Sequence, residues 1–175
     1  MKKALLAATA LVAVLVAGQA IATSPTVGAQ RRNQMNQSNR DMRQAMKLIH
    51  EAHQLLAQAL PVYDWKRIDA MEAIHAANKE LHDALEGVTA EPAPQLDRNG
   101  KPIKKKRPYD GDHRSKYSPD QIAASDQKLR DADGRIGDAI AKLDNADPLY
   151  HGERADAITK LRNGQDLIKA ALAIR

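Results

Sequence analysis

The chain contains one 44-residue pattern twice, and this internal repeat is the strongest constraint on its fold. Residues 42–85 align without a gap with residues 129–172 at a fixed offset of 87, and thirteen of the 44 positions are identical. In the first part of each copy, apolar or small residues recur at spacings of 3, 4, 3, 4 and 3. This spacing is the heptad seam of an amphipathic helix. A second seam follows a shared proline, so each copy is predicted to be helix, turn, helix.

Two such hairpins in tandem predict an all-α fold, an antiparallel four-helix bundle with coiled-coil-like seams and a long loop between the hairpins. A single hairpin would leave its apolar stripe exposed, so the two hairpins are expected to pack together. Large seam residues alternate with alanine or glycine, which lets helix axes approach closely and leaves no room for an interior pocket. The predicted helices cover approximately 38–60, 63–86, 119–146 and 151–174. Ser38 and Ser118 each begin a capping-box pattern, the second with Pro119 at the first helical position.

The repeated corner of the hairpins contains a proline, a tyrosine and an arginine. The pairs are Tyr63 with Arg67 and, in the second copy, Tyr150 with Arg154. Residues four apart lie on one face of a helix. We expect each ring to pack under the loop while the hydroxyl and the guanidinium stay in water. The alternative is an anion or ligand site that uses both arginines.

The first 22 residues are predicted to be a secretory signal peptide. Lys2 and Lys3 precede an apolar run from residue 4 to 17, and Ala20-Ile21-Ala22 forms a small-residue cleavage site. The run is too short for a typical spanning helix, although an uncleaved membrane anchor is the alternative interpretation. The chain has no cysteine, which excludes lipoprotein attachment and disulfides. We therefore expect a periplasmic or secreted protein that is not an integral membrane protein after cleavage.

An exposed, basic, Pro/Gly-rich linker loop is predicted at 87–117, between a first hairpin at 38–86 and a second at 118–175. A polar tail is predicted at 23–37. Without the two leader lysines the chain has 25 basic and 22 acidic residues, and residues 97–117 alone carry eight basic and three acidic ones. In an exported protein this excess favours anionic lipid headgroups or wall polymers over nucleic acid. The residues predicted to make these contacts are Lys104, Lys105, Lys106, Arg107 and Arg114.

Four histidines are the candidate metal ligands. His50 and His53 are three apart on the first helix, and His75 and His82 are seven apart on the second. Their equivalents in the second copy are Gly137, Ile140, Arg162 and Lys169, so a buried dinuclear centre is not expected. Neutral imidazoles at this spacing can share one Cu, Ni or Zn ion at the surface. The other interpretation is that they are solvated residues beside the seam, and no other cofactor is expected.

No nucleophile with a patterned base and no glycine-rich phosphate loop occurs in the sequence. We therefore expect a non-enzymatic structural or interaction module of the envelope. Its partner would be an envelope protein or an anionic polymer or lipid surface, and a homodimer is left open. The alternative is a periplasmic transition-metal-binding protein that uses the surface histidines.

The second corner, Tyr150-His151-Gly152-Glu153-Arg154, is followed by Ala157, Ile158 and Leu161. This phrase resembles a group of uncharacterised small exported bacterial α-helical proteins, in which a Gly-His-Arg-like turn precedes an Ala-x-x-x-Ile amphipathic helix. The first copy reads Asp64-Trp65-Lys66-Arg67 at the same place, and neither copy has a histidine directly before the arginine. The resemblance implies export and the hairpin fold.

Overall fold

The computed structural model describes residues 25–87, 110–146 and 152–174. These residues form four helices: α1 (Pro25–Gln58), α2 (Lys66–Glu86), α3 (Pro119–Asp144) and α4 (Glu153–Leu172). A short 3-10 turn covers Arg114–Lys116. No strand occurs in these three ranges, so the predicted all-α class is confirmed. The predicted signal peptide, Tyr150 and the basic run at 104–107 lie outside the described residues.

The predicted seams form the core of the bundle. Every first-helix seam residue is buried, from Met42 in α1 to Ala59 just after it, and from Leu129 in α3 to Ala146 just after it. The seam of α2 is buried from Tyr63 through Leu81 and half-buried at Ala84, and that of α4 is half-buried at Arg154 and buried from Ala157 through Ala171. The sequence pattern therefore located the core correctly, since removal of this one apolar stripe from water drives the four helices together.

The hairpins pack against each other in opposite directions. Lys128 Nζ lies 3.0 Å from the Gln58 carbonyl oxygen, and further along α1 the Arg135 guanidinium lies 3.3 Å from the Glu51 carboxylate. These contacts make α1 and α3 antiparallel neighbours, and α2 and α4 form the equivalent pair, with Lys160 bonded to Glu80. The most extensive packing is α1 on α3 and α2 on α4. Each hairpin corner consequently lies at the opposite end of the bundle from the other.

The predicted start of α1 at Ser38 is wrong. The helix begins at Pro25, and Ser38 is an interior residue that is only 3 % exposed. The stretch 28–37, predicted as part of a polar tail, is polar and exposed but helical. Proline at the first helical position suits a helix start, and after Gly28 the added turns consist mainly of Gln, Arg and Asn residues, which helices accept at small cost. The capping box at Ser118 is confirmed, because Ser118 and Gln121 each accept a hydrogen bond from the other's backbone.

Both second helices begin later than predicted because a left-handed backbone precedes them. Asp64 and Trp65 have φ angles of 45° and 66°, and α2 starts only after them. The position equivalent to Trp65 is Gly152, with φ 103°, and α4 starts at the next residue. Glycine adopts this conformation without strain, whereas a residue with a side chain does not. At the residue directly before the helix, the first corner is therefore the more strained of the two.

The end of the linker is not the exposed loop that the sequence predicted. Asp110 is fully buried, and its backbone carbonyl accepts a hydrogen bond from Trp65 N at 3.2 Å. Asp112 N donates to the Pro61 carbonyl at 2.8 Å. Residues 110–117, which we call the strap, are thus fastened across the first corner. The cause is a buried carboxylate that finds its partners only in the folded corner.

In the part of the chain that the structure describes, no helix combines the length and apolar character needed to cross a membrane.

Candidate functional site

The repeated arginines fasten the two hairpin corners, and they do so in the same way. Arg67 Nη1 donates to the Leu56 carbonyl at 2.9 Å, and Arg154 Nη1 donates to the Leu143 carbonyl at 3.0 Å. Both acceptors are carbonyls near the end of the first helix of the hairpin, and each also accepts a backbone hydrogen bond from the residue three positions later, Ala59 N at 3.2 Å and Ala146 N at 3.1 Å. A cationic side chain at this place also suits the helix dipole. These contacts give the two arginines a role within the hairpin.

The first corner is a buried polar network rather than a solvated one. Tyr63 is fully buried and Arg67 is 5 % exposed, so the expectation that the hydroxyl and the guanidinium stay in water is wrong. The Tyr63 hydroxyl lies 2.7 Å from Ser125 Oγ and 2.9 Å from Asp126 Oδ1. Burial, together with Asp126, raises the pKa of Tyr63 to about 12. The hydroxyl therefore keeps its proton and acts as a structural donor at neutral pH.

Asp110 of the strap completes this network. Its Oδ1 lies 3.4 Å from Arg67 Nε and accepts a long hydrogen bond of 3.5 Å from Tyr63 N. Its Oδ2 is buried and has no hydrogen-bond partner among the described residues. Burial raises the pKa of Asp110, and the nearby Arg67 opposes this change only in part. The strap thus places the buried carboxylate of Asp110 next to the buried guanidinium of Arg67.

Arg114, predicted to contact an anion, is engaged inside the molecule. Its guanidinium donates to the Ile174 carbonyl at 2.7 Å and lies 3.1 Å from Asp126 Oδ2. It also stands 5.8 Å from the centre of the Tyr63 ring. Arg114 therefore ties the strap to α3 and to the end of α4. The other four residues of the predicted anion-contact set, at 104–107, are outside the described residues.

A cleft of about 530 Å³ opens beside the strap. Its lining combines strap residues with the first corner and the end of α4, and includes Asp64, Asp112, His113, Arg114 and Ile174. Asp112 is occupied by Lys116 and by the Tyr117 hydroxyl, the latter at 2.9 Å. The charges of Asp112 and Arg114 are therefore already paired, and the cleft favours no particular ligand.

Three of the four predicted histidines line a second cavity, on the surface between α1 and α2. This histidine groove has a volume of about 300 Å³ and is lined by Ile49, His50, His53, His75 and Asn78. His82 is not part of it. Its Nε2 lies 3.2 Å from Glu86 within α2. The structure thus separates His82 from the other three, although the sequence places it on the same helix as His75.

Sequence reasoning missed Asp110, Ser125 and Asp126. Ser125 could have been found, because extending the repeat four residues upstream of residue 42 aligns Ser38 with it. Both serines are buried, at 3 % exposure each. Asp110 has no such signal, since its equivalent 87 residues earlier is Thr23. A single carboxylate in a basic linker has no feature that predicts burial.

No protein-family model, curated protein or solved structure matches the chain. The resemblance of the corner phrase to small exported helical proteins stays a prediction.

The histidine groove makes stability depend on pH. Burial lowers the pKa of His53 below its ordinary value of 6.5, and His75 and His50 lower it further. Unfolded His53 then binds a proton at a higher pH than folded His53, so folding becomes less favourable as the pH falls through 6.5 toward the folded pKa. We expect the His53→Gln variant to lose less thermal stability than the wild type between pH 7.5 and 5.5. Equal losses of melting temperature in the two proteins would contradict this prediction, and His82→Gln is the control.

Proposed function

We propose that this chain is a non-enzymatic interaction module of the bacterial envelope, and that it binds anionic surfaces through the basic run Lys104, Lys105, Lys106 and Arg107. The observation that supports the proposal best is the fastening of the strap. Asp110, three residues after Arg107, is buried against Arg67 at one end of the bundle. A chain spans at most about 3.6 Å per residue, so covalent geometry keeps these four residues within about 22 Å of Asp110. The bundle would then present a cationic segment at one defined end.

The charge balance of the linker supports the same assignment. Residues 97–109 contain six basic residues and one acidic residue, whereas residues 110–117 contain two of each. In the strap these charges are paired, with Arg114 on Asp126 and Lys116 on Asp112. The unbalanced positive charge of the linker therefore lies upstream of the strap. Clustered basic residues attract anionic surfaces by about 1 kcal/mol each.

Vesicle co-sedimentation tests the proposal. The protein should bind vesicles containing anionic phospholipid at low ionic strength and leave them as added salt shortens the screening length. Replacing Lys104, Lys105, Lys106 and Arg107 by glutamate should weaken binding at least about 100-fold, given about 1 kcal/mol per basic residue. The matched control reverses four exposed charges elsewhere, at Arg40, Arg43, Lys47 and Arg162. It has the same net charge as the test variant.

Equal losses in the two variants, or binding that salt does not weaken, would refute the proposal. An anionic polysaccharide is tested in parallel with the vesicles. Binding to the polymer but not to the vesicles would identify a wall polymer as the surface that is recognised.

A further inference from the structure

The histidine groove has the composition of a metal site rather than of an ordinary helix boundary. His50 and His53 project from successive turns of α1, and His75 faces them from α2. Ile49 in the same groove is buried and belongs to the core. Three imidazoles therefore surround one cavity that is open to solvent on one side and closed by the core on the other.

The groove also holds acceptor groups in the form that a cation needs. A metal ion binds imidazole nitrogens, and His53 lies half-buried in the groove while His50 and His75 are exposed at it. Asn78 lines the same cavity, and its Oδ1 is buried without a hydrogen-bond partner among the described residues. A buried amide oxygen without a donor is costly, and a bound cation or its water would satisfy it.

The second hairpin shows what the same place contains without the histidines. The positions equivalent to His50, His53 and His75 are Gly137, Ile140 and Arg162. The equivalent of Asn78 is Gln165, whose side-chain amide donates to the Asp133 carbonyl at 3.2 Å. A Cβ atom placed on Gly137 would lie 3.7 Å from that amide nitrogen, so the longer glutamine occupies this side of the groove. The repeat thus does not require histidines here, and their concentration in the first hairpin needs its own explanation.

The imidazoles are near one another but are not arranged as a finished coordination shell. Among the residues that the structure describes, no three potential ligands converge at metal-binding geometry. His50 Nε2 instead lies 2.9 Å from the Gln54 amide. His50 and His75 are exposed, and exposed side chains exchange rotamers within nanoseconds. A cation can therefore assemble the site by rotation of two side chains while the backbone keeps its place.

We propose that the histidine groove binds one divalent first-row transition metal ion through His50, His53 and His75. Imidazole suits copper, nickel and zinc, and copper binds such nitrogen ligands most tightly. His82 takes no part, because seven residues separate it from His75, about 10 Å along the helix. The bound ion would join α1 to α2 and thereby stabilise the first hairpin.

The test measures binding of Cu²⁺ and Zn²⁺ alone to the untagged full-length protein at pH 7.5, by calorimetry and by electron paramagnetic resonance of the copper complex. We expect one ion per chain and nitrogen couplings from imidazole in the copper spectrum. The double variant His53→Gln/His75→Gln should weaken binding at least tenfold. The matched control, His82→Gln/His113→Gln, also removes two histidines and should bind like the wild type.

A melting-temperature measurement separates a shared site from scattered surface binding. An ion that bridges α1 and α2 should raise the melting temperature of the wild type and of the control, but not that of the double variant. Equal affinity in the double variant and the control would overturn the proposal. So would copper binding without imidazole coupling. Circular dichroism of each variant without metal checks that it is folded.

Discussion

Replacing Arg67 by methionine should lower the free energy of unfolding by about 3–5 kcal/mol, the range expected when one partner of a buried ion pair is removed. Arg67 is 5 % exposed and faces Asp110, which is fully buried. Without the guanidinium, the carboxylate loses its charged partner among the described residues, and the Leu56 carbonyl keeps only the longer hydrogen bond of 3.2 Å from Ala59 N. Urea unfolding at neutral pH measures the loss.

The matched control is Arg154→Met in the second corner. Arg154 also donates to helix-end carbonyls, and the chain has Thr23 rather than an aspartate at the position equivalent to Asp110. Its replacement should cost about 1.5–3 kcal/mol, the value of a hydrogen bond from a charged group. Adding Asp110→Asn to Arg67→Met should restore at least about 1 kcal/mol, because the buried charge is gone. If the losses measured for Arg67→Met alone and Asp110→Asn alone add up to the loss of the double variant, Arg67 and Asp110 are not coupled.

The loss in Arg67→Met should also depend on pH. Burial raises the pKa of Asp110, and removal of Arg67 removes the group that opposes this shift. When the pKa of Asp110 is higher in the folded than in the unfolded state, the folded protein keeps the Asp110 proton to higher pH. The free energy of unfolding is then greatest at low pH and declines as the pH rises through the folded pKa. The difference between wild type and variant should therefore be larger at pH 8 than at pH 5. An equal difference at both pH values would contradict the buried-charge explanation.

Gly164→Ala should destabilise the bundle by about 1–3 kcal/mol through overpacking, although alanine is the better helix former. A Cβ at this position would lie 2.9 Å from Ile74 Cγ2, in the interface between α4 and α2. Gly134→Ala is the control, because nothing lies within 4 Å of its Cβ and it is also inside a helix. That variant should gain about 0.5–1 kcal/mol. Thermal unfolding of the two variants gives the comparison.

The repeat suggests a second substitution that should restore the stability lost in Gly164→Ala. The positions equivalent to Gly164 and Ile74 are Ala77 and Leu161, and both are fully buried. Leucine branches one carbon later than isoleucine, so it has no methyl group at the clashing position. The double variant Gly164→Ala/Ile74→Leu should therefore recover most of the lost stability. If it is less stable than Gly164→Ala alone, the clash with Cγ2 is not the cause.

The bundle was predictable because its core residues follow a heptad spacing that occurs twice in the sequence. Met42 through Ala59 and their copies were placed correctly from spacing alone, and the Ser118 capping box was correct because its two partners are three residues apart. The start of α1 was wrong because the Ser38 pattern mimics a helix start, while Ser38 is a buried residue inside a longer helix. Local motifs do not indicate which polar group tertiary packing will cover.

The candidate sites were predictable only in part, for the same reason. The histidines were found, but the separation of His82 from the other three depends on which residues of α1 face α2. Tyr63 and Arg67 were found, but their burial depends on Ser125, Asp126 and Asp110, which lie 43 or more residues away along the chain. Such contacts leave no periodic pattern.

The opposite directions of the two hairpins have a consequence for the origin of the chain. Two copies of one hairpin would adopt this arrangement as a symmetric dimer, with each copy presenting the same face to the other. Duplication and fusion of the gene would then require a connection from the far end of α2 back to the first corner. The 21 residues of α2 span about 31 Å at 1.5 Å each, a distance that no short turn can cover. A long linker meets this requirement, and the strap is the part of it that is fastened to the first corner.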